Sequence, residues 1–108
     1  MMELNVTKRK MLRLIRYYRH RMDEAIPIPA VKECRLYQDQ DGVWDFSWNN
    51  GVLMYKFTLM EYDHDFFLNA TIFVCGSIFQ GFAIHIDRHS LVALGILTDR
   101  EEGLVCQG

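Results

Sequence analysis

Cysteine is scarce in this chain. Cys34, Cys75 and Cys106 are the only three, an odd number and too few for a disulfide framework. No CxxC or CxxH pair exists, which removes the usual structural zinc site, and reduced thiols point to a cytoplasmic setting. Proline is scarcer still: Pro27 and Pro29 stand two apart and nowhere else. No apolar run approaches the roughly 18 residues of a membrane span, and the polar opening residues do not form a signal-type segment. Also missing are a GxSxG elbow, a Walker-type loop and a GxGxxG turn. Without them the chain lacks the common signatures of hydrolase, nucleotide and dinucleotide chemistry, so neither an enzyme nor a cofactor is expected.

What is present suits a single domain. The chain has 108 residues, half of them hydrophobic, with seven Phe, five Tyr and two Trp to fill a core. That composition is far from the low hydrophobicity and high net charge of disorder.

Charge is unevenly spread. The formal net charge is −2, yet "KRKMLRLIRYYR" (8–19) carries six Lys and Arg. Residues 1–24 hold seven basic and three acidic side chains, +4. The remainder hold five and eleven, −6.

Leu4, Met11, Ile15, Tyr18 and Met22 recur at helical spacing, with Leu14 beside them. Arg9, Arg13, Arg16 and His20 gather on the opposite face. No Pro or Gly interrupts residues 1–26, and Pro27 and Pro29 then push the chain into extended geometry. These features predict an amphipathic helix over about 3–24.

Beyond the prolines the period turns to two. "VKECRLY" (31–37) reads as a strand, and Asp41-Gly42 as a hairpin signal. "VWDFSW" (43–48) sends Trp44, Phe46 and Trp48 to one face. Asn50-Gly51 predicts the next hairpin. "VLMYKFTLMEY" (52–62) sets Tyr55, Phe57 and Leu59 against Met54, Lys56, Thr58 and Met60. "DHD" (63–65) is a polar tip before the alternating "FFLNATIFV" (66–74). Short loops between consecutive strands force antiparallel neighbours. In "CGSIFQGF" (75–82) the glycines suit a bulge, a turn or a close backbone contact. "FAIHID" (82–87) is strand-like, and 87–97 fits either a short helix or a last buried strand. Thr98 to Glu101 has the shape of a capping box, and "LVCQG" is a short tail.

The expected fold is α+β: an N-terminal helix across a twisted antiparallel meander of five or six strands over about 31–97. Several strands carry apolar side chains on both faces, and one helix covers only one. The other face requires a partner, a second copy in a homodimer, or coiling of the sheet into a partial barrel.

Candidate chemistry is thin. His85, Asp87 and His89 of "HIDRH" would share a strand face as a transition-metal set, but a strand end running into a polar turn is the plainer reading, and no metal is expected. Cys75 has no base at motif spacing, so all three thiols read as core residues. The remaining signals are surfaces. Asp39, Asp41, Asp45, Asp63 and Asp65, with Trp44 and Trp48 as anchors, would face a protein with a basic surface. The expected function is thus a non-enzymatic interaction protein: an inhibitor, an immunity-type protein or an adaptor. Arg9, Arg13, Arg16 and His20 supply the alternative, nucleic-acid binding, against which the acidic body counts. Membrane-surface binding is not expected, because the helix's apolar stripe belongs to the core.

Overall fold

A computed structural model describes residues 2–22 and 26–99. The elements run in the order β1 (Met2–Leu4), α1 (Lys8–Tyr18), β2 (Arg35–Gln38), β3 (Trp44–Asn50), β4 (Leu53–Tyr62), β5 (Asp65–Val74), β6 (Ser77–Ile86), α2 (Arg88–Ala93) and β7 (Leu97–Asp99). Single 3₁₀ turns occupy Arg19–Arg21 and Val31–Glu33. Strands β2 to β6 form one five-stranded antiparallel meander in sequence order, and β1 pairs with β7 in a separate two-stranded ribbon. The sheet is open, so the chain does not close into a barrel.

The helix is shorter than its periodicity predicts. Residues 2–4 pair with Leu97–Asp99, and Asn5 N–H donates to the Ile96 carbonyl at 2.6 Å. Thr7 then caps the helix from an extended backbone, its Oγ1 accepting from Lys10 N–H. Leu4 is therefore a half-buried strand residue rather than the first rung of the stripe. The stripe itself holds. Met11, Leu14, Ile15 and Tyr18 are buried, and Met22 extends it beyond the 3₁₀ turn. The basic residues expected on the other face, Arg9, Arg13, Arg16 and His20, are exposed.

Residues 31–37 also divide differently from the expected single strand. Hydrogen bonds from Glu33 N–H to Ala30 O and from Cys34 N–H to Val31 O coil 31–33 into a 3₁₀ turn, and β2 begins only at Arg35. The next hairpin turns one residue later than predicted. Asn50 pairs with Leu53, which leaves Gly51 and Val52 as the central residues, with Gly51 at φ 65°. That pattern, Gly first with positive φ, matches the twist of the flanking strands.

Two further hairpins turn through Asp63-His64 and Cys75-Gly76, both central residues of each having positive φ. Gly76 thus serves the turn, and the register between β5 and β6 shifts near Ile72 and Phe73, where Phe79 is the extra residue of a bulge.

Residues 87–97 are a helix and then a strand. Gly95 sits at φ 73°, with Gly95 N–H bonded to Val92 O and Ile96 N–H to Leu91 O, the paired bonds of a Schellman stop. The turn delivers Ile96 and Leu97 into the core, and Lys10 Nζ ties the Gly95 carbonyl to α1 at 2.7 Å.

One core forms between α1 and a single face of the meander. Phe46, Trp48, Tyr55, Phe57, Leu59, Phe66, Leu68, Ala70, Ile72, Ile84 and Ile86 all point into it. Their alternation agrees with the period-two reading strand by strand. Trp48 stacks on Tyr55 directly opposite and on Phe57 one step along, at centroid distances of 5.2 and 5.3 Å. Fully burying a side chain of this kind contributes about 1.5–3 kcal/mol.

Residues 1, 23–25 and 100–108 lie outside the described residues, and with them Asp23, Glu24, Glu101, Cys106 and the tail.

Candidate functional site

An antiparallel meander sorts its loops to two ends. The loop between β2 and β3 (39–43), the Asp63-His64 turn and the start of α2 share one end. The Gly51-Val52 and Cys75-Gly76 turns share the other, where Cys75 N–H donates to Val52 O at 3.3 Å. Ten-residue strands separate the two ends by about 33 Å. Because of this sorting, Asp39, Asp41, Asp63 and Asp65, scattered over 27 positions of sequence, gather at one end, joined there by Glu61 and Asp87. At the opposite end the β5–β6 hairpin carries no charge. Neither Lys, Arg, Asp nor Glu occurs between Phe66 and Ile86, and Ile78 and Phe79 stand 71% and 60% exposed near the tip.

The five aspartates are not equivalent. Asp39 is committed to its own loop, its Oδ1 accepting from Asp41 N–H at 2.9 Å and Val43 N–H at 3.0 Å. Asp41 and Asp63 are exposed. Asp65 pairs with His85 across β5 and β6, Oδ1 to Nε2 at 3.4 Å. Asp45 is only 8% exposed and accepts from Thr58 Oγ1 at 2.9 Å. Asp45 lies opposite Tyr37 of β2. Its charge raises the Tyr37 phenol above the ordinary value, and hydrogen bonding to the same carboxylate, slight burial and the Asp39 charge add to the shift.

The tryptophans lie on the face that α1 covers. Trp48 is 3% exposed and belongs to the core, so it presents no anchor to a partner. Trp44 is half-buried. Sequence alternation placed both on one face correctly but could not tell which face the helix takes.

A cleft of about 570 Å³ opens where the β1–β7 ribbon approaches the acidic end of the meander without pairing with it. Glu3, Leu4 and Leu97 line it from the ribbon, Gln38, Asp41–Trp44 from the β2–β3 corner, and Met60 and Glu61 from β4. A smaller adjoining groove shares Glu3, Leu4 and Trp44 and adds Asn5, Val6 and Thr98. Glu3 and Glu61 escaped the sequence reading because no local pattern connects them. Only the pairing of the chain ends brings Glu3 there.

The far face of the sheet carries Met54, Lys56, Thr58, Met60, Phe67, Asn69, Thr71 and Phe73, all half-buried. Both helices and the ribbon feed the opposite core. Among the described residues this outer face packs only on itself, as where Phe67 meets His85 edge-on at 5.4 Å.

On α1, Arg9, Arg13 and Arg16 line a shallow groove of about 150 Å³ with Leu12 and Val31. His20 lies beyond the helix, in the 3₁₀ turn, and is not part of that groove.

The HIDRH segment does not form one face. His85 is on the outer face of β6, Asp87 precedes α2 with its N–H on the Tyr18 hydroxyl at 3.2 Å, and His89 lies within α2. Among the described residues no three His, Cys, Asp or Glu side chains gather as a metal set. Cys34 is buried and Cys75 exposed, each unpaired. Burial pushes the Cys34 thiol up, the Lys8 charge opposes that, and the Glu33 charge adds to it. Cys75 is thus not the core thiol expected of it. No described helix is long and apolar enough to cross a membrane.

No protein-family model matches the chain, and no curated protein or solved structure shows significant similarity to it.

Proposed function

We propose that this chain is a non-enzymatic interaction protein, an inhibitor, immunity-type protein or adaptor, that binds a protein with a basic surface through the acidic end of its sheet. The observation that carries the reading is the sorting of Asp39, Asp41, Asp63, Asp65 and Glu61 to one end of the meander. Carboxylates that share a pole of a small domain create a field that steers a cationic partner and fixes its orientation. Asp45 acts beneath them, holding β3 and β4 in register through Thr58. Free thiols at Cys34 and Cys75 support a reducing, cytoplasmic workplace.

The test is affinity capture from nuclease-treated host lysate, identification of the captured protein, and repetition with the purified pair. Charge reversal of the exposed set, Asp41→Lys, Asp63→Lys and Asp65→Lys, is expected to weaken that pair at least about tenfold, about 1.4 kcal/mol. Unchanged affinity with a native circular-dichroism spectrum rejects the reading.

A second reading has its own observation. Arg9, Arg13 and Arg16 share one groove, and guanidinium forks suit phosphate. Nucleic-acid binding by that groove predicts an affinity that falls with salt, with a slope that shrinks when the three arginines become alanine. The uncharged β5–β6 hairpin tip, with Ile78 and Phe79, suits a second copy of the chain. Light scattering of Ile78→Lys against the parent protein checks that homodimer.

A further inference from the structure

We infer that the cleft between the β1–β7 ribbon and the acidic end of the meander receives an arginine side chain presented by the basic partner. The inference rests on the function proposed above and assigns its specific contact. Carboxylates reach the cleft from three separate parts of the chain: Glu3 from β1, Asp41 from the β2–β3 loop and Glu61 from the end of β4. Among the described residues that line it there is no Lys, Arg or His. An anion would meet three like charges, whereas a cation is drawn to them.

Trp44 decides which cation. It lines the cleft with Leu4 and Leu97, so a bound group meets an aromatic residue and acidic residues together. A planar guanidinium can stack on indole and still present its fork of donors to a carboxylate. A lysine ammonium is a hydrated point charge and does both less well. A volume of about 570 Å³ falls within the range of about 300–1,000 Å³ for small-ligand sites, ample for an arginine head and stem. The adjoining groove through Asn5, Val6 and Thr98 leaves room for the residues on either side of that arginine.

The test is titration of the full isotopically labelled chain with a blocked tri-arginine peptide, followed by the Trp44 indole N–H resonance. Tri-lysine and tri-citrulline peptides are the comparison arms. Saturable movement of that resonance is expected with tri-arginine, weaker movement with tri-lysine and none with uncharged citrulline. Asp41→Asn with Glu61→Gln is expected to weaken binding about tenfold, as loss of two partly exposed ion pairs would. Asp63→Asn with Asp65→Asn, acidic but outside the cleft lining, should change it less than about twofold. Glu61→Gln alone serves if the first pair perturbs the fold.

A Trp44 resonance that tri-arginine leaves unmoved overturns the inference. So does equal weakening by both variant pairs, which would mean diffuse attraction by the whole acidic end and would leave the proposed function standing. Conversely, tri-arginine seated in the cleft while Asp41→Lys, Asp63→Lys and Asp65→Lys leave partner capture intact would reject the proposed function and retain the site.

Discussion

Asp45 and Thr58 face each other across β3 and β4, and the threonine hydroxyl donates to the nearly buried carboxylate at 2.9 Å. The pair puts a charge in the sheet and satisfies it there. Removing the hydroxyl in Thr58→Val leaves the carboxylate short of a donor while nearly preserving side-chain shape. The expected cost is about 1.5–3 kcal/mol, the range for a hydrogen bond to a charged group. Urea unfolding of the two proteins measures it, and an unchanged midpoint would mean that water replaces the hydroxyl at no cost.

The same carboxylate controls Tyr37. Because Asp45 raises its phenol in the folded state, Tyr37 stays protonated to higher pH folded than unfolded. Its stabilising contribution is complete below the unfolded value near 10.0 and is lost as pH rises through the higher folded value. Phenolate absorbance of the parent minus that of Tyr37→Phe isolates this residue among the five tyrosines. In Asp45→Asn the isolated titration should fall back toward the ordinary range.

Gly95→Ala tests the stop that joins α2 to β7. An added Cβ would meet Lys10 only at 3.7 Å, an ordinary contact. The penalty therefore comes from the left-handed backbone, about 1–2 kcal/mol. Thermal unfolding reads it, and a larger loss would indicate that the ribbon had also come undone.

Trp48→Ala distinguishes a core residue from an anchor. With the indole buried and stacked on Tyr55 and Phe57, truncation should cost about 3–5 kcal/mol. Denaturant unfolding would show it. A protein of parental stability with damaged partner binding would contradict the placement of Trp48.

The thiols differ in exposure and chemistry. Cys75 is exposed in its turn, whereas Cys34 is buried and its thiol raised, so a thiol reagent should reach Cys75 well before Cys34. Mass spectrometry of timed samples, in a Cys106→Ser background, reports the order. Faster labelling of Cys34 would require that β2 and the 3₁₀ turn before it open readily.

Much of the fold follows from neighbours in sequence. Apolar residues every second position made β3, β4 and β5 legible, with the correct residues on each face. The Asp41-Gly42 and Asp63-His64 corners marked turns, and the 3.6-residue recurrence of Met11, Leu14, Ile15 and Tyr18 marked the buried side of α1. These are local consequences of strand and helix geometry. Pairing between the chain ends is not local. Leu4 continues the helical stripe by spacing, yet Met2–Leu4 bond to Leu97–Asp99 instead, since a strand partner satisfies their backbone groups and Thr7 then caps a shorter helix. That pairing carries Glu3 to Asp41 and Glu61 around Trp44, and the choice of sheet face for α1 buries Trp48. Alternation names two faces, whereas only packing of the whole chain decides which one loses its water.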